Sequence, residues 1–262
     1  VTVIAAAAAL MAVLAPSALA TTPAPGYEQF AGCPSPAENP TIEVCAHTLI
    51  KGGYFQMGNK NVPLKKQMTL SGGVNGELNG FVANSKGGLT PVKQLVPGGV
   101  IGLTGLDWLV NFLSIEALQL YAVTELVGTP NVVNLSLPIR VHLINPALGN
   151  NCYVGSSSNP IQLKLTSGTT NPPPPNTPIS GVRPEVKFDE ATSILTISNG
   201  TAVDNSFAAP GASGCVLTLF GFIPVSINGL VNAASGLPAP AGTNATSQEL
   251  DIQLAPSPVV YP

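Results

Sequence analysis

Alternation of apolar and polar residues, interrupted every few positions by glycine, proline or asparagine, is what most limits the fold open to this sequence. Leu135, Leu137, Ile139, Val141 and Leu143 alternate with Ser136, Pro138, Arg140 and His142, and Ile161, Leu163 and Leu165 alternate with Gln162, Lys164 and Thr166. Leu250, Ile252 and Leu254 do the same around Asp251 and Gln253, and residues 62–70 keep most of their apolar side chains at even positions. Successive side chains of a strand point to opposite faces, so a period of two describes strands with one buried face. Shorter strands are expected at residues 42–49, 185–189, 194–198 and 201–207, with Ser198, Asn199 and Gly200 as a hairpin turn because Asn-Gly tolerates positive φ. Strands this short and this numerous predict a mainly β fold: an antiparallel sandwich or barrel-like fold with one or two short helices.

The helices are expected in two places. Leu106, Leu109, Val110, Leu113, Ala117 and Leu120 follow helical spacing, with Asp107, Asn111 and Ser114 on a narrow polar stripe, although so apolar a run also reads as a pair of buried strands. Residues 226–235, closed by Gly236 and Pro238, read as a short helix with a glycine stop. Between strand candidates, residues 171–178 run Asn-Pro-Pro-Pro-Pro-Asn-Thr-Pro, which favours a stiff polyproline II rod. That rod is either a surface loop of one domain or a divide between two subdomains.

Residues 3–15 are an unbroken apolar run that ends at Pro16 and leads to Ala18-Leu19-Ala20, a small-x-small cleavage pattern. The run is short for ~30 Å of hydrocarbon and polar, proline-rich sequence follows it, so the expectation is a signal peptide at 1–20 and no transmembrane segment after its cleavage. No basic residue precedes the run: either residues lie upstream, or Val1 reads a non-AUG start codon, which favours a bacterial source. The first cysteine, Cys33, stands well past Ala20, which argues against a lipid anchor. Residues 21–262 are then a single β-rich exported domain, with 171–178 as the candidate divide.

Charged residues make up 9% of the chain, against about 25% on average, and a net charge of −3 offers no field to steer a polyanion, which excludes nucleic acid as the partner. The 27 glycines and 26 prolines are about a fifth of the 262 residues, short of the ~25–30% that signals disorder. Four cysteines, Cys33, Cys45, Cys152 and Cys215, allow three pairings, and export makes disulfides the default. Sequence order favours Cys33 with Cys45 and Cys152 with Cys215, worth about 3 and about 4 kcal/mol in the chain-entropy model. The other reading of Cys152 is a nucleophile, which needs a histidine in space from a chain that has only His47 and His142.

The blocks Leu137-Pro-Ile-Arg-Val-His-Leu-Ile-Asn-Pro-Ala-Leu-Gly149, Cys152-Tyr-Val-Gly-Ser-Ser-Ser-Asn-Pro160, Leu165-Thr-Ser-Gly-Thr-Thr170, the prolines of 172–178 and Val203-Asp-Asn-Ser-Phe-Ala-Ala-Pro-Gly-Ala-Ser-Gly-Cys215 resemble exported proteins of actinobacteria with no assigned activity. A looser likeness extends to residues 51–73 and 97–99. The resemblance implies export, a bacterial envelope or medium location and the pairing of Cys152 with Cys215, and it brings over no catalytic residue.

Motifs for chemistry are weak. Gly211-Ala-Ser213-Gly-Cys215 has the wrong spacing for a nucleophile elbow. Glu43, Cys45 and His47 share one face of a strand and are the best metal-like constellation, although an oxidised Cys45 would break it. Asp107 and Glu116, beside Trp108, are the one carboxylate pair in an apolar setting that glycoside hydrolysis would need, while Asp107 also suits a helix N-terminus. Residues 95–126, with Gly98, Gly99, Gly102 and Gly105, are apolar enough to line a lipid pocket, plug a barrel, form an interface or simply fill the core. The expected function is therefore a noncatalytic structural or binding module, secreted or associated with the cell envelope. Alternatives are a carrier of a lipid or other hydrophobic ligand and an unrecognised hydrolase. No cofactor is implied, and the partners in view are an envelope component or a hydrophobic ligand.

Overall fold

Where the alternation is regular, strands form and pair antiparallel. A computed structural model describes residues 21–77, 80–99, 119–132 and 134–262. The first sheet contains β1 (Val44–Met57), β2 (Lys60–Pro63), β3 (Met68–Val74), β4 (Gly88–Leu89), β10 (Glu185–Asp189), β11 (Ile194–Asp204) and β15 (Ala245–Pro256), in the order β10-β11-β15-β1-β3-β4 with β2 also on β1. The second contains β5 (Gln94–Val96), β6 (Leu120–Leu126), β7 (Ser136–Ile144), β8 (Tyr153–Val154), β9 (Ile161–Lys164) and β12 (Ala212–Ser213), in the order β12-β8-β7-β6-β5 with β9 also on β7. A separate hairpin joins β13 (Val216–Leu219) to β14 (Ile223–Ser226). The fold is mainly β and sandwich-like, and the described strands close no barrel.

The main core lies between the two sheets, where Phe55 and Val62 meet Val96, Ile139, Val141, Ile161 and Leu163. A second cluster gathers Phe30, Cys33, Ile42, Cys45, Ala255, Val260 and Tyr261, with the Tyr261 hydroxyl donating to Cys33 O at 2.6 Å. At one side the sheets are joined by the paired backbones of Thr166 and Val203 and by Lys164 N–H donating to Asp204 Oδ2 at 2.7 Å. At another, Gln94 of the second sheet bridges to the β2–β3 connection: Oε1 accepts from Lys65 N and Lys66 N, both at 3.1 Å, and Nε2 donates to Lys66 O at 2.6 Å.

Three expectations need correction. Residues 198–200 are no hairpin turn: β11 runs through them as one strand, paired to β15 on both sides of a bulge. Asn199 does take positive φ, +58°, as its type predicts, but spends it on the bulge. Residues 62–70 are two strands, because Pro63 has no N–H and Lys65 and Lys66 give theirs to Gln94. The strand expected at 42–49 continues to Met57. Strands at 185–189, 161–164 and 136–144 agree with expectation. So does the helix Asn228–Ser235, whose C-terminus is closed by Gly236 at φ +65° with its N–H donating to Asn232 O. Its Asn228 Oδ1 accepts from Cys215 N at 2.8 Å and its Asn232 Oδ1 from Ala212 N at 2.6 Å, which fixes the helix against β12. The proline segment is tied down at Asn176, whose Nδ2 donates to Asn205 O and Asn244 O, both at 2.8 Å. The signal expected at 1–20 lies outside the described residues. So does 106–118 of the expected helix, and Leu120 opens β6 instead.

Candidate ligand-binding site

Between the sheets lies a cavity of about 360 Å³. One wall is a row of alternate residues on β15, Gln248, Leu250, Ile252 and Leu254, flanked by Ala46, Thr48 and Ile50 of β1, Leu70 and Val74 of β3, and Ile197, Gly200 and Ala202 of β11. Leu137 of β7, with Pro130, Val132, Leu135 and Leu165, faces them. Six residue steps at ~3.3 Å each make the β15 row from Gln248 to Leu254 about 20 Å long, and the volume sits near the lower end of the ~300–1,000 Å³ of small-molecule pockets. Its lining on this sheet also crosses four neighbouring strands, β11, β15, β1 and β3, about 14 Å at ~4.8 Å per strand.

Two bulges keep that wall apolar. In β1 the register shifts between Ile50 and Gly52, so that Ala46, Thr48 and Ile50 oppose Leu254, Ile252 and Leu250 whereas Gly53 opposes Gln248. In β11 the extra residue before Gly200 moves the inward side chains from odd to even positions, which keeps Ile197 and Ala202 on one face. Gly53 has φ +116°, and a Cβ there would stand 1.9 Å from Ser247 O, so no other residue fits.

A smaller cavity of about 30 Å³ shares Ile50, Leu70, Leu137 and Gln248 with the larger one and reaches Phe55, Met68 and Leu163 in the core. Among the described residues lining either cavity none is charged. Gln248 is 5% exposed and its side-chain amide makes no hydrogen bond to a described residue, whereas the fully buried unpaired side-chain atoms among the described residues are Asn205 Oδ1 and Ser257 Oγ.

The other polar clusters are occupied with structural contacts. On β6, β7 and β8, Arg140 Nη2 lies 2.7 Å from Glu125 Oε2, its guanidinium sits 4.1 Å over the Tyr153 ring, and His142 stacks on that ring at 4.3 Å. His142 Nε2 also lies 3.0 Å from Asn150 O. Ser213, Tyr153 and His142 fall in register on three neighbouring strands, so Tyr153 separates hydroxyl from imidazole by two strand spacings, about 10 Å. That pair is no nucleophile and base. Cys152 is bonded to Cys215 and Cys33 to Cys45, all four fully buried, so Cys152 is a staple.

Glu43, Cys45 and His47 do not assemble a metal site, because Cys45 is oxidised and His47 Nδ1 is hydrogen-bonded to Ser71 Oγ at 2.6 Å. Among the described residues no group of three or more His, Cys, Asp or Glu is placed to hold a metal ion. Burial holds the His47 pKa below the ordinary histidine value, against a weaker opposing hydrogen bond to the Gln29 backbone. Asp189 is held below the ordinary carboxylate range by the Thr192 hydroxyl and then by the Ala191 N–H, at the turn between β10 and β11.

Asp107, Glu116 and Trp108 lie outside the described residues. Of the 95–126 segment only residues 95–99 and 119–126 are described; they include the ends that form β5 and β6, Thr124 and Leu126 line the smaller cavity, none of them lines the larger one, and residues 100–118 lie outside the described residues. The alternation at 250–254 already marked an inward face, but a sequence does not say whether that face meets side chains or a void. Gln248 carried a faint signal, as an amide in phase with Leu250, Ile252 and Leu254. Elsewhere the surface is apolar at the tip of the β13–β14 hairpin, where Phe220 is 86% and Phe222 75% exposed. No helix among the described residues is long and apolar enough to cross a membrane. Comparison with known proteins finds no matching family model, no matching curated protein and no matching solved structure.

Proposed function

We propose that this chain is a noncatalytic exported binding module, secreted or held at the cell envelope, that carries a single-chain hydrophobic ligand between its two sheets. The observation that carries this reading is the long, uncharged cavity of about 360 Å³ along β15. Burying an alkyl chain there gains about 0.8 kcal/mol per methylene, and a volume near the lower end of small-molecule pockets suits one chain rather than two. Two disulfides suit folding in an oxidising space, in keeping with export. A noncatalytic role fits the occupied side chains: all four cysteines are oxidised, and both histidines are held by neighbours.

The test is uptake of the uncharged fluorophore N-phenyl-1-naphthylamine by the protein purified from culture medium, and its displacement by long-chain hydrocarbons. Thr48→Phe projects a ring into the cavity from β1 and is expected to abolish uptake while leaving the circular dichroism spectrum unchanged. Uptake undiminished in that variant, or none in the unsubstituted protein, would remove the carrier reading.

A further inference from the structure

We infer that the cavity selects an uncharged amphiphile, a long alkyl or isoprenoid chain ending in a hydroxyl or similar neutral hydrogen-bonding group, and holds that group inward against Gln248. The inference rests on the carrier reading and adds to it the chemistry and direction of the ligand.

Gln248 is the reason. Gln94 and Asn244, also buried, spend their amides on the fold: Gln94 makes three bonds to the β2–β3 connection, and Asn244 donates to Phe207 O and Pro240 O and accepts from Gly58 N, while Asn205, away from the cavity lining, keeps an unpaired Oδ1. Gln248 is 5% exposed and lies on the wall of both cavities; its backbone pairs with Gly53 and Ala202, but its side chain makes no hydrogen bond to a described residue. A primary amide that faces an apolar cavity offers both donors and an acceptor, and an all-hydrocarbon ligand that displaced water from it would leave them unmet at a cost. A hydroxyl complements it on both counts.

Charge sets the second limit. No charged residue lines the cavity among the described residues, so a carboxylate or phosphate brought to Gln248 would be buried without a counter-ion. The direction follows from the β15 row. Gln248 stands at one end, beside the core, and Leu250, Ile252 and Leu254 run on from it, so a chain whose head meets Gln248 lies along the leucines and isoleucine.

Displacement of the bound fluorophore by dodecanol, dodecane and dodecanoate, in the unsubstituted protein and in Gln248→Met, tests this. Methionine nearly keeps the volume and removes the amide. The ratio of dodecanol to dodecane affinity is expected to fall roughly tenfold in the variant. At mildly alkaline pH, where the fatty acid is ionised, the unsubstituted protein should bind dodecanol more tightly than dodecanoate. An unchanged ratio in a variant that still binds dodecane would overturn the role of Gln248 and leave the carrier reading standing. Should Gln248→Met fail to fold, the ranking in the unsubstituted protein decides: dodecanoate bound more tightly than dodecanol overturns the selection. Displacement by none of the three would overturn the carrier reading and this inference together.

Discussion

His47 ties a single proton to stability. Its pKa is lowered in the fold by burial, so the unfolded chain binds the proton more readily. The contribution is fully present above the unfolded value of about 6.5 and is lost as pH falls through the lower folded value. Denaturant titrations at neutral and mildly acidic pH should therefore show a steeper acid loss in the unsubstituted protein than in His47→Asn. The carboxylates, common to both, cancel from the difference, and parallel pH profiles would contradict the assignment. At this scale the sequence was legible in type and silent on partner. Asn199 was readable as a residue that takes positive φ, but the strand that pairs on either side of it is β15, some fifty positions away, and that pairing turns a supposed hairpin into a bulge. Gln248 likewise could be placed on the inward face, whereas the absence of a partner for it is visible only in three dimensions.

Among the elements, β1 depends most on one residue. Gly53 lets the strand cross its bulge and stay paired to β15, with a carbonyl where any Cβ would be. Gly53→Ala is expected to cost about 3 kcal/mol or more, because the β1–β15 ladder must part to admit a methyl group. Denaturant unfolding measures this, and a loss under about 1 kcal/mol would mean that the ladder yields more easily than its geometry implies. Gly236→Ala is a milder case: the αL stop of the helix Asn228–Ser235 is strained by roughly 1 kcal/mol, read as a small drop in the unfolding midpoint. Strand positions with regular alternation, such as Ser136–Ile144 and Ile161–Lys164, were legible because burial on one face follows directly from period two. Residues 62–70 misled for a local reason: the alternation persists through Pro63 and the two lysines, while the hydrogen bonds that define a strand go to Gln94.

For the whole molecule, the cystine Cys152–Cys215 closes a loop with a separation of 63 residues. Replacing both cysteines by alanine should lower stability by about 2–5 kcal/mol, measurable by denaturant unfolding. The β13–β14 hairpin belongs to neither large sheet, and no charged residue occurs between Asp204 and Glu249. Phe220→Ser combined with Phe222→Ser should shorten retention on a phenyl resin and shift stability by no more than about 0.5 kcal/mol. Retention unchanged in that double variant would place the adhesive surface elsewhere. The architecture as a sandwich was foreseeable from strand number and punctuation, but the order of strands was not, since β1 pairs with β15 from the opposite end of the sequence. The two cystines also have a mechanical consequence. Cys33–Cys45 fastens the N-terminal segment to β1, and Cys152–Cys215 fastens β8 to the strands beside the helix, so neither crosses from one sheet to the other. Each leaf of the sandwich is covalently stiffened while the seam around the cavity is closed by packing and by reversible contacts such as Thr166 with Val203. Neither cystine resists separation of the two leaves along that seam, so resistance there comes from noncovalent contacts alone.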